Sequence, residues 1–337
     1  MRSHLTLLLA IVFAAPVLLL EAQPAATNPF FDTRRPEAER IKAIQSLGYP
    51  DERTKAALFA VGSDRSQSDA IRWEALRRLQ YGPKYRDVVL AILADPNDGG
   101  EDLDANLIRD LARKTSFRLP LEDQQRIQTV ERPLLSDKRP RVRLEAYRVL
   151  VSNHDTVAIN RLVDSLRQQQ SAPIPLTDAI ELLDDDGSVN YISVLRPFLG
   201  HSDARVQARA VRALALDDES RPQIVRFAVN PTAPEEVRLN ALRGLAREDD
   251  NFTKYAIALV ENRQESPVIR EAAMGEIVGR MNYNRVEAQE QIRFAQVVER
   301  VSLDRTADAK LKDAATKLLA YLKQAFPAIR KFYENPS

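Results

Sequence analysis

HSDARVQARAVRALALDD, residues 201–218, decides the fold because it carries a helical stripe that returns along the chain. Val206, Ala210 and Leu214 are spaced four residues apart, so they lie on one face of a helix. An alanine-centred stripe of the same spacing occurs at Ile71, Ala75 and Leu79; Val142, Ala146 and Leu150; Val237, Ala241 and Leu245; Ile269, Ala273 and Ile277; and Leu311, Ala315 and Leu319. Alanine at each midpoint predicts helices that their neighbours approach closely.

The stripes define a repeat. They begin at positions 71, 142, 206, 237, 269 and 311, at intervals of 71, 64, 31, 32 and 42 residues. The first two intervals are about twice the next two, which indicates a degenerate unit inside each: Leu103, Leu107 and Leu111, and Pro175, Ala179 and Leu183. The chain therefore has about eight units of roughly 31–42 residues, a period typical of repeat architectures.

A first helix precedes each stripe. We predict these first helices near 52–61, 85–94, 121–135, 155–168, 188–199, 221–230, 252–262 and 287–303, with one further helix near 36–47. Pro133 and Pro197 each lie nine residues before the stripe valine, which indicates a shared bend. Two helices in every unit predict an all-α fold.

Several second helices begin with a motif in which an acidic residue is followed by Val or Ile and then Arg. Helical pairs with such starts resemble HEAT repeats, especially the short bacterial HEAT-like kind with an armadillo-type fold. DARVQARAVRAL, EVRLNALRGL and PRVRLEAYRVL carry the resemblance, which covers about 50–325. It implies a right-handed α-α superhelix, an α-solenoid of about eight helical hairpins, whose second helices line the concave face. The alternative is an ordinary all-α bundle. We assign the α-solenoid to 36–337.

The N-terminus has the pattern of a secretory signal. Arg2 is followed by the apolar run from Leu5 to Leu20, and small residues begin at Ala22. The run has 16 residues, whereas a membrane span needs about 20, so we expect a cleaved signal peptide at 1–22. An uncleaved anchor, which would bring membrane contact, is the alternative. A flexible linker is predicted at 23–35, and the protein is expected to be periplasmic or extracellular.

Arginine and lysine recur at two fixed positions of the second helices. With the first stripe residue numbered zero, position +1 flanks the core stripe and position +6 points away from it. Position +1 holds Arg72, Arg143, Arg238, Arg270 and Lys312, with Gln207 as the exception. We interpret these cations as structural, because a planar guanidinium can bridge carboxylates and helix-end carbonyls between units.

Position +6 gives the candidate binding surface. Glu74 and Glu145 lie three residues before arginines of this column and can pair with them, whereas no such acid occurs in the C-terminal half. Positive charge should therefore be less compensated there. The side chains face solvent or line a docking groove, and Trp73 is a core residue or a groove anchor. The candidate partner-binding residues are Arg209, Arg212, Arg243, Lys317, Arg77, Arg148 and Trp73.

Catalytic and metal-binding motifs are missing from the sequence. The chain has no cysteine, and His154 and His201 are the only histidines after the signal. The acidic stretch 95–104 fails as an EF-hand, although a looser calcium site is an alternative. The motif from Gly275 to Gly279 is interpreted as close packing between units. We predict no catalytic residue, no cofactor and no metal.

Lys+Arg number 49 against 48 Asp+Glu, so the chain has no net basic field and no nucleic-acid partner is expected. The primary hypothesis is an exported, monomeric, non-enzymatic interaction scaffold that binds a protein partner on the concave face. The alternative is binding of a polyanion or surface glycan through the basic face of the C-terminal half. HEAT-like repeats also resemble segments of bilin lyases, which would imply an enzyme, but an exported location argues against this.

Overall fold

The computed structural model describes residues 32–115, 119–168, 172–186 and 191–334. The predicted signal segment 1–22 and the linker residues 23–31 lie outside the described residues. The part of the chain that is described contains helices and no strand. None of its helices combines the length and the apolar character that a membrane crossing requires.

Eighteen α-helices and one 3-10 helix make up the regular structure of these residues. The α-helices are α1 Glu37–Gln45, α2 Glu52–Ser63, α3 Asp69–Arg77, α4 Pro83–Ala94, α5 Glu101–Thr115, α6 Leu121–Leu134, α7 Pro140–Ser152, α8 Thr156–Arg167, α9 Leu176–Asp186, α10 Ile192–Leu195, α11 Ala204–Ala213, α12 Arg221–Val229, α13 Glu235–Glu248, α14 Phe252–Glu261, α15 Pro267–Asn282, α16 Ala288–Leu303, α17 Ala309–Ala325 and α18 Pro327–Glu334. The 3-10 helix is Arg196–Gly200.

From α2 to α17 the helices alternate as the first and second members of eight pairs, which confirms the predicted all-α fold of HEAT-like α-solenoid hairpins. Helix α1 precedes the pairs, as predicted, and α18 follows them without having been predicted. The chain divides into two compact units, one ending at Leu103 and the other beginning at Asp104. In the first unit α3 packs against α1 and α2.

Two rows of helices form the second unit. Its second helices α7, α9, α11, α13, α15 and α17 each pack on the next in that order. Among the first helices, α14 packs on α16, and within hairpins α12 packs on α13 and α16 on α17. Each repeat thus completes its core only against its neighbours, which is the organisation of a solenoid.

The alanine-centred stripes form the seam between these rows. All six central alanines are fully buried, and Val206 and Leu214 are buried on either side of Ala210. Leu319, in α17, is half-buried. Small side chains at the midpoints allow the close helix contacts that the sequence predicted.

The arginines at position +1 have the structural role that was predicted. Nε of Arg72 donates to the carbonyl of Gly62 at 3.1 Å, and Nε of Arg270 donates to the carbonyl of Val260 at 2.9 Å. In each case the acceptor lies ten residues earlier, at the end of the first helix. Gln207, which replaces the cation at position +1 in α11, makes a similar contact: its Nε2 atom donates to the carbonyl of Leu199 at 2.7 Å.

Two arginines of this column, Arg72 and Arg238, also contact a carboxylate of the next hairpin. Nη2 of Arg72 lies 2.7 Å from Oδ1 of Asp98, and Nη2 of Arg238 lies 2.6 Å from Oε2 of Glu265. Both acids belong to the loop that follows the next first helix. Each guanidinium therefore ties two hairpins together.

The predicted first helix 188–199 is interrupted. Among its described residues, Ile192–Leu195 is α-helical, and the chain then continues as the 3-10 helix Arg196–Gly200, because Pro197 has no N–H to donate and its ring disfavours a regular α-helix. Arg196 precedes this proline and pairs with Asp217, while Arg132 precedes Pro133 and pairs with Asp155. The two prolines thus accompany the same Arg–Asp contact.

The interpretation of Gly275 and Gly279 as close-packing residues is wrong. A Cβ atom added at either position would meet no heavy atom within 4 Å. The close approach is instead at Gly244 of α13, where a Cβ atom would collide with Cβ of Ala215, two residues after the end of α11. Spacing alone did not distinguish these glycines, because the deciding neighbour is on another helix.

Candidate functional site

The predicted cations nearer the N-terminus are paired. Arg77 forms an ion pair with Glu74, as the spacing predicted. Arg148 lies 3.3 Å from Glu145, its predicted partner, and 2.8 Å from Asp178 on the next second helix. Trp73 is half-buried in α3.

The prediction of less compensated charge in the C-terminal half is wrong for three residues. Arg209 pairs with Glu181 at 3.4 Å, and Lys317 pairs with Asp313 at 2.7 Å. Arg212 lies 3.4 Å from Asp184 and 3.7 Å from Asp185. The acids that face Arg209 and Arg212 come from the preceding second helix α9, so a search within one helix missed them.

Arg243 differs from these residues. Its side chain is exposed on α13, and no carboxylate oxygen of the described side chains lies within 4.0 Å of its guanidinium. Arg243 lines a cavity of about 420 Å³ between α13 and α15, together with Ala246, Arg247, Glu276, Gly279, Arg280, Tyr283 and Arg285. We call this cavity the basic pocket.

Arg280 forms the inner wall of the basic pocket. Its side chain is only 6% exposed, and Nη1 donates to the carbonyl of Ala246 at 3.0 Å. The guanidinium also lies over the ring of Phe252, 5.8 Å from the centroid. Nε is buried and has no hydrogen-bond partner among the described residues. A buried guanidinium with a donor left over adds uncompensated positive character to the pocket wall.

The end of α15 places Arg285 at the rim. Asn284 has φ of 56°, a left-handed conformation that asparagine tolerates better than most residues. This turn allows the backbone N–H of Arg285 to bond the carbonyl of Arg280 at 2.9 Å. The Arg285 guanidinium then donates to the carbonyl of Arg247, and Tyr283 is left 80% exposed beside the opening.

Among the described side chains, Glu276 is the one acid of this lining. Burial raises its pKa, while Arg243 and Arg247 act in the opposite direction. Four arginines against one carboxyl leave a net positive cavity. Guanidinium groups bind carboxylates and phosphates in a bidentate manner, so the arrangement suits an anionic group.

Gly279 keeps the basic pocket open. It lines the cavity, and a Cβ atom at its position would meet nothing within 4 Å. A larger side chain could therefore enter the cavity without a clash at its first atom.

The sequence identified one residue of this pocket, Arg243, and missed its neighbours. Arg247 lies four residues further along α13 and thus on the same face, which was an available signal. Arg280 lies within α15, four residues after Glu276, which was a second available signal, whereas Arg285 follows the turn at Asn284 and could not be read from helical spacing. Partner binding by Arg77, Arg148, Arg209, Arg212, Lys317 and Trp73 stays a prediction.

The acidic stretch 95–104 is engaged with arginines. Arg65 lies 2.8 Å from Asp95 and 3.2 Å from Asp98, and Arg72 also contacts Asp98. No cluster of three or more His, Asp or Glu side chains placed to hold a metal ion occurs in the part of the chain that the structure describes.

No protein-family model matches this chain, and no curated protein matches it. Among solved structures, it is similar to a chain in the complex of CpcE and CpcF of phycocyanin lyase from Nostoc sp. PCC7120. The two chains are 17% identical, with a TM-score of 0.38, and the alignment covers 82% of this chain and 97% of that chain.

This comparison contradicts our prediction that the protein is not an enzyme, since the similar chain belongs to a complex named as a lyase. We withdraw that prediction. At a TM-score of 0.38, the likeness transfers no activity, substrate or site residue to this chain.

Proposed function

We propose that this protein is a helical interaction scaffold that binds an acidic segment of a partner protein at the basic pocket between α13 and α15. The observation that carries the proposal is the arginine lining of a 420 Å³ cavity in which Arg243 has no carboxylate partner among the described residues. A glutamate or aspartate side chain of the partner would supply that carboxylate. Catalysis elsewhere on the chain is compatible with this role.

A protein segment fits the charge pattern better than a polyanion. A polyanion needs a row of cations that are available together, but Arg148, Arg209 and Arg212 each lie within 4.0 Å of a carboxylate on a neighbouring second helix. The available charge is concentrated in one pocket, beside the exposed ring of Tyr283. Aromatic and arginine side chains together are typical of the centre of a protein–protein interface.

The test uses a fluorescein-labelled hexaglutamate peptide and fluorescence anisotropy. The Gly279→Leu variant should fill the basic pocket without removing a charge, and leucine has a higher helix propensity than glycine. The matched control is Gly275→Leu, one turn earlier on α15. We expect G279L and the double variant R243S/R247S to bind at least tenfold more weakly, with G275L unchanged.

Equal binding by all four proteins would refute the pocket as the site. Binding that falls steeply with salt and extends to long polyanions would favour the polyanion alternative instead. The natural partner is then sought by capture on the immobilised protein, counting only proteins that G275L retains and G279L loses.

We also propose that the chain is exported, on the basis of the apolar run from Leu5 to Leu20 after Arg2. Fractionation of cells that express the full chain, followed by N-terminal sequencing, tests this. A mature N-terminus near Ala22 in the periplasm or medium is expected. Recovery of the intact chain from the cytoplasm contradicts export, and recovery of the intact chain from membranes supports the uncleaved anchor.

A further inference from the structure

A second cavity, unrelated to the basic pocket, surrounds the buried carboxyl group of Glu131. The cavity has a volume of about 200 Å³ and lies among residues of α5, α6 and α7. Glu131 projects from α6 and is 0% exposed. Both its carboxyl oxygens are buried and have no hydrogen-bond partner among the described residues. Buried polar groups are nearly always hydrogen-bonded, so this carboxyl group needs an explanation.

Within the described part of the chain, no cationic side chain lies within hydrogen-bond distance of the Glu131 carboxyl group. The charged group that faces Glu131 is Asp155, which bonds Arg132 at 2.9 Å and caps α8 by accepting from the backbone N–H groups of Val157 and Ala158. Arg132 is thus committed to Asp155. Burial, together with the charge of Asp155, raises the pKa of Glu131 to about 8. Burial thus favours the protonated, uncharged form of this carboxyl group.

The polar lining of the cavity offers acceptors. Nε2 of Gln124 donates to the carbonyl of Leu119 at 2.9 Å, and the hydroxyl of Thr115 donates to the carbonyl of Ala112 at 3.2 Å. Gln124 Oε1 and Thr115 Oγ1 are left as acceptors, and the carboxylate form of Glu131 would add two more; the side-chain amides of Gln128 and Asn153 also line the cavity. Such a set suits a ligand that brings several N–H donors.

We propose that this cavity binds a primary alkylammonium group, carried either by a free amine or by a lysine side chain. The ammonium would donate to Glu131 and Gln124, and its methylene stem would lie along the apolar wall formed by Leu119, Ile127 and Val149. A volume of 200 Å³ equals roughly six to seven waters, at about 30 Å³ each in the liquid, and thus accommodates a short alkyl chain.

Binding should be linked to a proton. The bound ammonium favours the carboxylate form of Glu131, so the proton of the carboxyl group leaves to solvent when the ion pair forms. Affinity should rise about tenfold per pH unit below pH 8 and level off above it, until the amine itself loses its proton near its ordinary pKa of about 10. Calorimetry at pH 6.5 in buffers of different ionisation enthalpy should report about one proton released.

The probes are n-butylammonium and N-acetyl-lysine methylamide, with 1-butanol as a neutral control. If n-butylammonium binds and N-acetyl-lysine methylamide does not, the site takes free amines. If both bind, the site accepts a free amine or a lysine side chain. Glu131→Gln should weaken binding at pH 8 at least tenfold and abolish proton release. Asp164→Asn, which changes an exposed carboxylate on α8, should leave both unchanged.

A second variant guards against a folding defect. Ala112→Leu places a larger side chain in the cavity while the carboxyl group stays intact, and it should also prevent binding. Far-UV circular dichroism and the melting temperature show whether each variant is folded. The proposal is overturned if neither amine binds, if 1-butanol binds as well as n-butylammonium, or if folded E131Q binds with unchanged affinity and pH dependence.

Discussion

The arginine at position +1 of α13 allows the sharpest test of what holds the repeats in register. Arg238 is 3% exposed, and its Nη1 and Nη2 atoms contact the two carboxyl oxygens of Glu265 at 2.8 and 2.6 Å. Nε and Nη2 also donate to the carbonyl of Ala228, each at 3.2 Å. We choose Arg238→Met because methionine keeps most of the side-chain length while it removes every donor.

R238M leaves a buried carboxylate without its counterion. Removing one partner of a buried pair costs about 3–5 kcal/mol of unfolding free energy, and we expect a loss in that range. A matched exposed pair gives the contrast: Lys317 and Asp313 are 76% and 61% exposed, so Lys317→Ala should cost at most about 0.5 kcal/mol. The double variant R238M/E265L should recover most of the loss, because apolar residues of similar size tolerate such a site.

A pH series adds an independent readout. Burial alone would raise the pKa of Glu265, but hydrogen bonds from Arg238 and from the N–H of Ser266 hold it below its ordinary value. A depressed carboxyl pKa contributes stability that is present at neutral pH and is lost as the pH falls below the unfolded value of about 4.3. The difference in the free energy of unfolding between wild type and R238M should therefore become smaller below about pH 4.5.

Urea denaturation followed by far-UV circular dichroism measures the free energy of unfolding. Hydrogen exchange in α13 and α15 separates local opening from global unfolding, since long repeat arrays can depart from two-state behaviour. A loss below about 1 kcal/mol, similar to that of K317A, would refute the view that these arginines fix the stacking of the hairpins.

Three further changes test other features. Gly244→Ala should destabilise the protein by about 1–3 kcal/mol because the added methyl group clashes with Ala215, whereas Gly275→Ala should be neutral or stabilising by up to about 1 kcal/mol. Thermal melts compare the two variants, and equal effects would contradict the assigned packing. Hydrogen bonds from Arg196 lower the pKa of Asp217 to about 2, so Asp217→Asn should flatten the loss of stability between pH 4 and 2 in acid-unfolding curves. Because burial raises the pKa of Glu131, the wild type loses stability as the pH rises from 4 to 8, whereas glutamine does not titrate. Glu131→Gln should therefore unfold at a higher urea concentration than wild type at pH 8 and at a similar concentration near pH 4.

Much of the fold could be predicted from the sequence because the apolar residues at helical spacing mark the face of each helix that is buried. The stripe Val206, Ala210 and Leu214 is buried as its spacing required. The column at position +1 was predictable for a similar reason, since a cation beside the core meets the end of the first helix. Even Gln207, the exception in sequence, donates to a first-helix carbonyl.

The site was only partly predictable because its properties depend on pairs of helices. Arg212 and Arg243 occupy the same position of their helices, and nothing in either helix indicates that only Arg212 has a carboxylate partner among the described side chains. Arg285 reaches the pocket through a left-handed residue at Asn284, which a helical pattern does not reveal. The glycines likewise required knowledge of what lies opposite them.

The charge of the basic pocket follows from the packing of α11 against α13. Arg212 of α11 finds Asp184, which is the residue at position +9 of the preceding second helix α9. For Arg243 of α13, the residue at position +9 of the preceding helix is Ala215, which is buried and has no carboxylate. Ala215 is also the residue that Gly244 approaches so closely that a Cβ atom would collide with it. An aspartate at position 215 would therefore clash with α13. The close contact between Ala215 and Gly244 thus leaves no room for an acid at the position that would face Arg243. This buried contact therefore helps to keep the basic pocket positively charged.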